Sequence, residues 1–216
     1  AGGIDDLRRS VDTAAEIGSP ESVRAYYNLG AMLGISGQLL ASFDALAEGR
    51  RLAQRFGDAA WIAWYEAERL YEHYWRGAWD DALALADRIV ASASGDEPAS
   101  VEFDASLVRA WIALGRGNDE EALASVRRAH AFAREAPDPQ NLHPALALRA
   151  RATAELGDAK EAAGYVDELL DDFSQRPTPP GYWVFDVAVA SRRLGRGSDA
   201  LEPIRSAAPA TRWLQA

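Results

Sequence analysis

The sequence predicts an all-α repeat protein, an α-solenoid of about five antiparallel helix pairs with a repeat near forty residues. Three observations predict it. Gly37, Gly77, Gly117, Gly157 and Gly197 stand forty residues apart, and a small residue follows five positions later at Ser42, Ala82, Ala122 and Ala162; in the last repeat Gly195 and Ala200 match better. Pro- or Gly-bearing breaks alternate with these glycines, at Gly18-Ser19-Pro20, Gly57-Asp58, Gly95-Asp96-Glu97-Pro98, Pro137-Asp138-Pro139 and Pro177-Thr178-Pro179-Pro180. Between the breaks, apolar residues recur at helical spacing.

Taken in order, residues 4–17 read as the second helix of a truncated preceding repeat. Repeats then occupy 20–57, 58–96, 98–136, 139–176 and 180–208, and 210–216 reads as the start of a further helix. The chain opens Ala1-Gly2-Gly3 without a Met, so 1–216 is expected to be a single domain cut from a larger protein. A glycine past one helix end followed by Asp or Ser fits a helix stop and the cap of the next start. The second helices open acidic, with Asp80-Asp81, Glu120-Glu121 and Glu161. Carboxylates favour the positive end of the helix dipole, which makes these pairs helix starts rather than catalytic dyads.

The first helices share a stripe: Ala63, Ala67, Leu70 and Tyr74, then Phe103, Leu107, Ala110 and Leu114, then Ala147, Ala150 and Ala154. The second helices answer with Trp79, Leu83, Ala86 and Ile89 or Val90, with Leu123, Val126 and Ala129, and with Ala162, Val166, Leu169 and Leu170. A hairpin with an apolar face on each helix cannot bury both alone, so neighbours must stack.

Tyr26-Tyr27-Asn28-Leu29-Gly30, then Leu33, Gly37, Ser42, Phe43 and Leu46, resembles the tetratricopeptide repeat (TPR) in its order of aromatic, Leu-Gly, aromatic, Gly, small and aromatic positions. Later repeats depart from it: Ala110, Ala150 and Ala188 stand where that family has Gly, and Arg69, Arg109 and Arg149 where it has Leu. The resemblance covers residues 20 to 205. Long, Ala- and Arg-rich repeats of this style are also similar to the C-terminal helical sensor arms of large bacterial signal-transducing ATPase regulators, LuxR-type or nucleotide-cyclase-linked. That resemblance implies an arm that receives an inducer, a partner protein or another copy of itself, and holds the ATPase off or releases it.

Composition narrows the function. A net charge of -10 with scattered arginines lacks the basic stripe that phosphate neutralisation needs, which argues against nucleic acid and against a membrane surface. The absence of cysteine removes disulfides, thiolate metal sites and thiol nucleophiles, and is the usual state of a cytosolic chain. No run of eighteen apolar residues and no secretory leader is present, so a soluble, cytoplasmic protein is expected. Lys160 is the sole lysine and Ala is abundant, a bias typical of GC-rich bacterial genomes.

Motifs for chemistry are missing. His73, His130 and His143 stand without an HExxH pair or a carboxylate at ligand spacing, so no metal is assigned. There is neither a GxxxxGK[ST] loop nor a GxSxG elbow. Gly34-Ile35-Ser36-Gly37 is a helix turn, and the Leu-Gly-Arg-Gly strings at 114–117 and 194–197 follow helices rather than strands, outside a dinucleotide-binding context. No catalytic residue and no cofactor is assigned, and the chain is expected not to be an enzyme.

Candidate binding residues remain. The helix over 59–76 carries Trp61, Trp64, Tyr65, Tyr71, Tyr74 and Trp75, more rings than one stripe can bury. At 3.6 residues per turn, Trp64, Tyr71 and Trp75 share the flank of that stripe. Tyr71, Trp111 and Arg151 are equivalent positions forty apart and are expected to form a column, with Arg24, Tyr27 and Asn28 near its N-terminal end, on the concave side of a TPR-like array. Such a column either packs helix on helix or floors a groove for a protein or peptide segment, for other domains of the parent chain, or for a metabolite or sugar. Self-association is a further reading. A second column, Arg69, Arg109 and Arg149, points away from the stripe and is either a solvated face paired with Glu66 and Glu72 or a basic strip for an acidic partner.

Overall fold

The structure, a computed structural model, describes residues 2–92, 99–135, 137–197 and 201–207. The break at Gly95 to Pro98, Ala200 and the segment 210–216 lie outside them. Among the described residues there are eleven helices and no strand.

The helices follow from the turns. Gly37, Gly77, Gly117, Gly157 and Gly197 all have positive φ, between 63° and 94°. This left-handed conformation ends a helix and costs a residue with a Cβ more than it costs glycine, which is the physical content of the forty-residue period. Asp58, Asp138 and Asp158 accept backbone N–H groups of the helices they precede, from Trp61 (3.2 Å), Gln140 (2.9 Å) and Glu161 (2.9 Å). Each satisfies a donor that the first turn leaves open.

The chain divides into two compact units, Ala1–Val101 and Glu102–Ala216. The glycine period runs through that boundary unchanged and carries no sign of it. The first unit contains α1 (Gly2–Glu16), α2 (Glu21–Ile35), α3 (Leu39–Phe56), α4 (Ala59–Trp75) and α5 (Trp79–Ser92), each packed on its neighbour in sequence. Its core joins Val11, Leu29 and Leu33 in one cluster and Val23, Leu46, Leu52 and Tyr65 in another. The TPR-like positions mark a close helix approach. Ser42 Oγ on α3 donates to the Gly30 carbonyl on α2 at 2.7 Å, and a Cβ on Gly30 would lie 2.6 Å from Leu46 Cγ. A second approach is tighter. Tyr65 of α4 donates its hydroxyl to the Val23 carbonyl at 2.6 Å, and its oxygen would lie 1.9 Å from a Cβ on Gly49.

The second unit contains most of α6 (Ala99–Arg116), then α7 (Asp119–Glu135), α8 (Pro139–Glu155), α9 (Ala159–Gln175), α10 (Trp183–Arg193) and α11 (Glu202–Ala207). α8 packs against α7, α9 and α10. It is consequently buried on all sides through one stretch: every residue from Leu142 to Leu148 is buried, which no single stripe describes. The interior is rich in alanine, with Ala105, Ala110, Ala122, Ala145, Ala147, Ala150, Ala152 and Ala162 at 1% exposure or less.

Two predicted packing faces are rotated. On α5, Ala82, Leu85, Ala86 and Ile89 are buried, whereas Val90 is 50% exposed and Leu83 is partly exposed. On α4, Tyr65 takes an inward position at 1% exposure while Ala63 stays partly exposed. Rings and long side chains reach the interior from the flank of the stripe, so a stripe drawn on small residues is displaced by about one position.

Candidate functional site

In the first unit α4 presents Trp61, Trp64, Tyr65 and Glu68 at the i, i+3, i+4, i+7 spacing of one helix face. Tyr27 of α2 meets this face. Its ring centroid lies 5.3 Å from Trp61, 6.1 Å from Trp64 and 5.6 Å from Tyr65, in tilted or edge-on arrangements. Tyr65 is buried, whereas Tyr27, Trp61 and Trp64 each keep part of their surface open. Arg24 and Asn28 are exposed on the same helix as Tyr27, and Arg24 pairs with Glu21 at 2.8 Å.

Tyr27 Oη donates to Glu68 Oε1 at 3.0 Å. Burial pushes the Glu68 carboxyl above the usual range, with the phenol's hydrogen bond pulling the other way. Burial also pushes the Tyr65 hydroxyl well up, and Glu68 adds to the effect. Glu68 lines an open cleft together with Leu46, Ala47, Arg50, Arg69 and Glu72.

Trp64 is thus drawn to Tyr27, while Trp75 packs edge-on against Tyr74 at 5.0 Å, and Tyr74 stacks on Trp79 at 6.2 Å. Trp79 Nε1 donates to the Tyr74 carbonyl at 3.2 Å, so these rings secure the turn from α4 to α5. Tyr71 is partly exposed.

In the second unit Trp111 and Arg151 converge on a residue that the sequence reading passed over. Trp111 is 4% exposed and donates Nε1–H to Asp186 Oδ2 at 2.9 Å. Arg151 Nη1 donates to Asp186 Oδ1 at 2.9 Å, and its Nε reaches Glu155 at 3.3 Å. Asp186 is 2% exposed. Burial raises its carboxyl pKa, opposed by Arg151 and then Trp111. Trp111 is therefore an interior ring of this unit rather than the floor of an open groove, and Tyr182 packs edge-on against it at 5.1 Å. Arg151 keeps 15% of its side chain exposed and lies 5.5 Å over the Phe185 ring. The signal for this cluster was the acid inside the apolar run Trp183 to Val187.

The arginine column differs member by member. Arg69 pairs with Glu66 at 2.6 Å, and Arg109 is partly exposed. Arg149 departs from a solvated strip: only 12% of its side chain is exposed, it pairs with Glu161 at 3.0 Å, and it lies 5.2 Å over the Tyr165 ring. The flat guanidinium suits an aromatic face, which explains how a charge enters the interhelical space.

His143 does have a carboxylate, supplied from 29 positions downstream and therefore invisible to ligand-spacing rules. Its Nε2 lies 2.8 Å from Asp172 Oδ2, and its Nδ1 lies 2.9 Å from Thr178 Oγ1. Burial lowers the His143 pKa against the pull of Asp172, which favours the neutral ring: Nε2–H donates to the carboxylate and Nδ1 accepts from the hydroxyl. Burial raises Asp172, but Arg176 and His143 outweigh it and hold the carboxyl below its usual range.

The order of hydroxyl, imidazole and carboxylate is that of a hydrolytic relay, but the ring is 0% exposed, flanked by Phe173 and Trp183, and Arg176 occupies the carboxylate. Arg176 also donates to the Pro137 carbonyl at 2.9 Å. These contacts fasten the Pro-rich loop 176–181 to its own unit. Among the described residues, no group of three or more His, Asp and Glu side chains is placed to hold a metal ion, and no helix is long and apolar enough to cross a membrane.

The sequence matches no protein-family model and no curated protein. Solved structures share its fold. One, from Podosopora anserina and described as a kinesin light chain with nearly identical TPR-like repeats, is 15% identical, with a TM-score of 0.50 over 91% of this chain and 96% of its own. A variant of that protein is 14% identical, with a TM-score of 0.52 over 87% of this chain and 93% of its own. At such identities the likeness is one of fold alone: this chain has an all-α, TPR-like repeat fold.

Proposed function

We propose that this chain is a non-catalytic protein-interaction and sensor scaffold of a bacterial signalling or transcription-regulating protein, acting in the cytoplasm. A partner segment, from another protein or from other domains of the parent chain, lies along the aromatic face of the first unit. The observation that carries this reading is the set of partly open rings Tyr27, Trp61 and Trp64, which join the first helices of two successive pairs beside the exposed Arg24 and Asn28. Large amphipathic rings with arginine nearby are what concentrates binding energy at interfaces. Tyr71 and Trp75 extend the same helix. Trp111, Arg151 and Arg149 serve the reading indirectly, by holding the second unit's helices in place. Engagement would alter helix packing and pass that change to neighbouring domains.

The cleft beside Glu68, with its mixed charges, favours a second reading, a receptor for a small metabolite or sugar. A peptide array scored by tryptophan fluorescence separates the two. Partner-segment docking requires binding by a subset of peptides that Trp64→Ala weakens without unfolding the chain. Response to free metabolites alone, with every peptide silent, would replace the first reading by the second. A midpoint that rises with protein concentration would make a second copy of the chain the partner.

A further inference from the structure

Helix α4 carries three closely spaced acids after its second turn, and two of them are matched. Glu66 receives Arg50 at 2.9 Å and Arg69 at 2.6 Å, and Glu72 receives Arg76 at 2.8 Å. Glu68, between them, receives only the neutral hydroxyl of Tyr27 among the described residues. It is not remote from solvent, because it lines the cleft between α3 and α4. Its neighbour Tyr27 is one of the partly exposed rings, with Trp61 and Trp64 beside it.

A half-buried carboxylate answered by one phenol has room for a cation beside it. The two guanidiniums of the same cleft do not supply it, since both converge on Glu66. Partly exposed rings favour a cation too, through the negative potential of their π systems. The chain's net charge of -10 draws cationic ligands.

We propose that Glu68, with the rings of Tyr27, Trp61 and Trp64, forms a subsite for one basic side chain, arginine or lysine, of a peptide partner. This rests on the reading that the aromatic face of the first unit receives a partner segment, and it names the chemistry of one contact. The carboxylate accepts from the guanidinium or ammonium, and the side chain's stem lies on the rings.

The test uses the full chain and three short capped peptides that differ at one central residue: arginine, lysine and the neutral isostere citrulline. Binding is read by tryptophan emission at low salt. The arginine and lysine peptides should bind, the citrulline peptide should not, and Glu68→Gln should weaken the basic peptides by about tenfold or more. Tyr27→Phe keeps the ring and frees the carboxylate of its phenolic donor, so it should retain binding. Circular dichroism of each variant shows that the fold is kept.

Equal binding of citrulline and arginine, or Glu68→Gln binding as tightly as the parent, overturns the subsite. If peptides of other composition still bind and are lost in Trp64→Ala, the docking face stands and only the cationic contact falls. If no peptide of any kind binds, both readings fall together.

Discussion

Replacing Asp186 by alanine is the most severe single test of the second unit's interior. The carboxylate is 2% exposed and accepts from both Trp111 Nε1 and Arg151 Nη1 at 2.9 Å. Its removal leaves a guanidinium with 15% of its side chain exposed and takes from the buried Trp111 indole N–H the carboxylate it donates to. Breaking a buried pair by deleting one partner costs about 3–5 kcal/mol. Arg151 retains Glu155 at 3.3 Å, at a position 23% exposed, which places the expected loss at the lower end, about 3 kcal/mol. That is a shift of about two orders of magnitude in the folding equilibrium.

Asp186→Asn keeps an acceptor for the indole and forfeits only the charge, so it should lose about half as much. Urea unfolding, with hydrogen exchange of α8 and α10 as the local readout, measures both, and Arg151→Ala completes a double-mutant cycle. Coupling of about 2 kcal/mol is expected for groups in one network. Asp186→Ala within about 0.5 kcal/mol of the parent, the range of an inconsequential surface change, or a coupling near zero, would refute the reasoning.

Gly49→Ala should destabilise the first unit by about 1–3 kcal/mol, as overpacking does, because its Cβ would meet Tyr65 Oη at 1.9 Å and Tyr26 Cβ at 2.8 Å; a thermal melt of the variant checks this. Glu68→Gln should raise stability at neutral pH, since burial raises the native pKa of that carboxyl and its charged form carries the cost. The gain should shrink as pH falls toward the ordinary carboxylate range, where both states hold the proton, and a gain independent of pH would contradict the assignment.

His143 works in the opposite direction. Its native pKa is lowered, so its contribution is complete above the unfolded value of about 6.5 and declines as pH falls from there toward the native value. The depressed Asp172 adds a further loss at lower pH, below the unfolded carboxylate value. Melts between pH 7.5 and 5 should therefore show a smaller drop in His143→Gln than in the parent; parallel curves would exclude the histidine as the source.

The forty-residue glycine period was legible because a left-handed helix stop is a local requirement: the φ values of Gly37 to Gly197 depend on a few neighbouring residues. The rotation of the α5 face was not, since Val90 and Ile89 are chemically alike and only the neighbouring helix decides which turns inward. Trp64 was legible as a surplus ring and Tyr27 as a neighbour of the expected column. Glu68 was hidden by its surroundings on α4, where Glu66, Arg69 and Glu72 make an acid look like one more member of a solvated face. Trp111 was recognised as a column position, but its direction depends on Asp186, seventy-five residues away, and no helical periodicity carries that information.

These long-range contacts share a physical role that the alanine-rich interior makes necessary. Small residues let helices approach closely, but an alanine face is smooth, and a slide of one turn exchanges one methyl for another at little cost in buried area. Polar contacts remove that freedom. Tyr65 to the Val23 carbonyl, Ser42 to the Gly30 carbonyl, Trp111 to Asp186 and His143 to Asp172 each join residues on different helices of one unit, and each has at least one partner that is almost fully buried. A displaced register would strand these groups, at about 1–3 kcal/mol for each unsatisfied donor or acceptor. Their net contribution to stability is smaller than that, because water satisfies the same groups in the unfolded chain. What they supply is discrimination among alternative pairings. A chain with so alanine-rich an interior obtains its register from such contacts, and that is why an acid, Asp186, an imidazole and an indole N–H lie among its buried side chains.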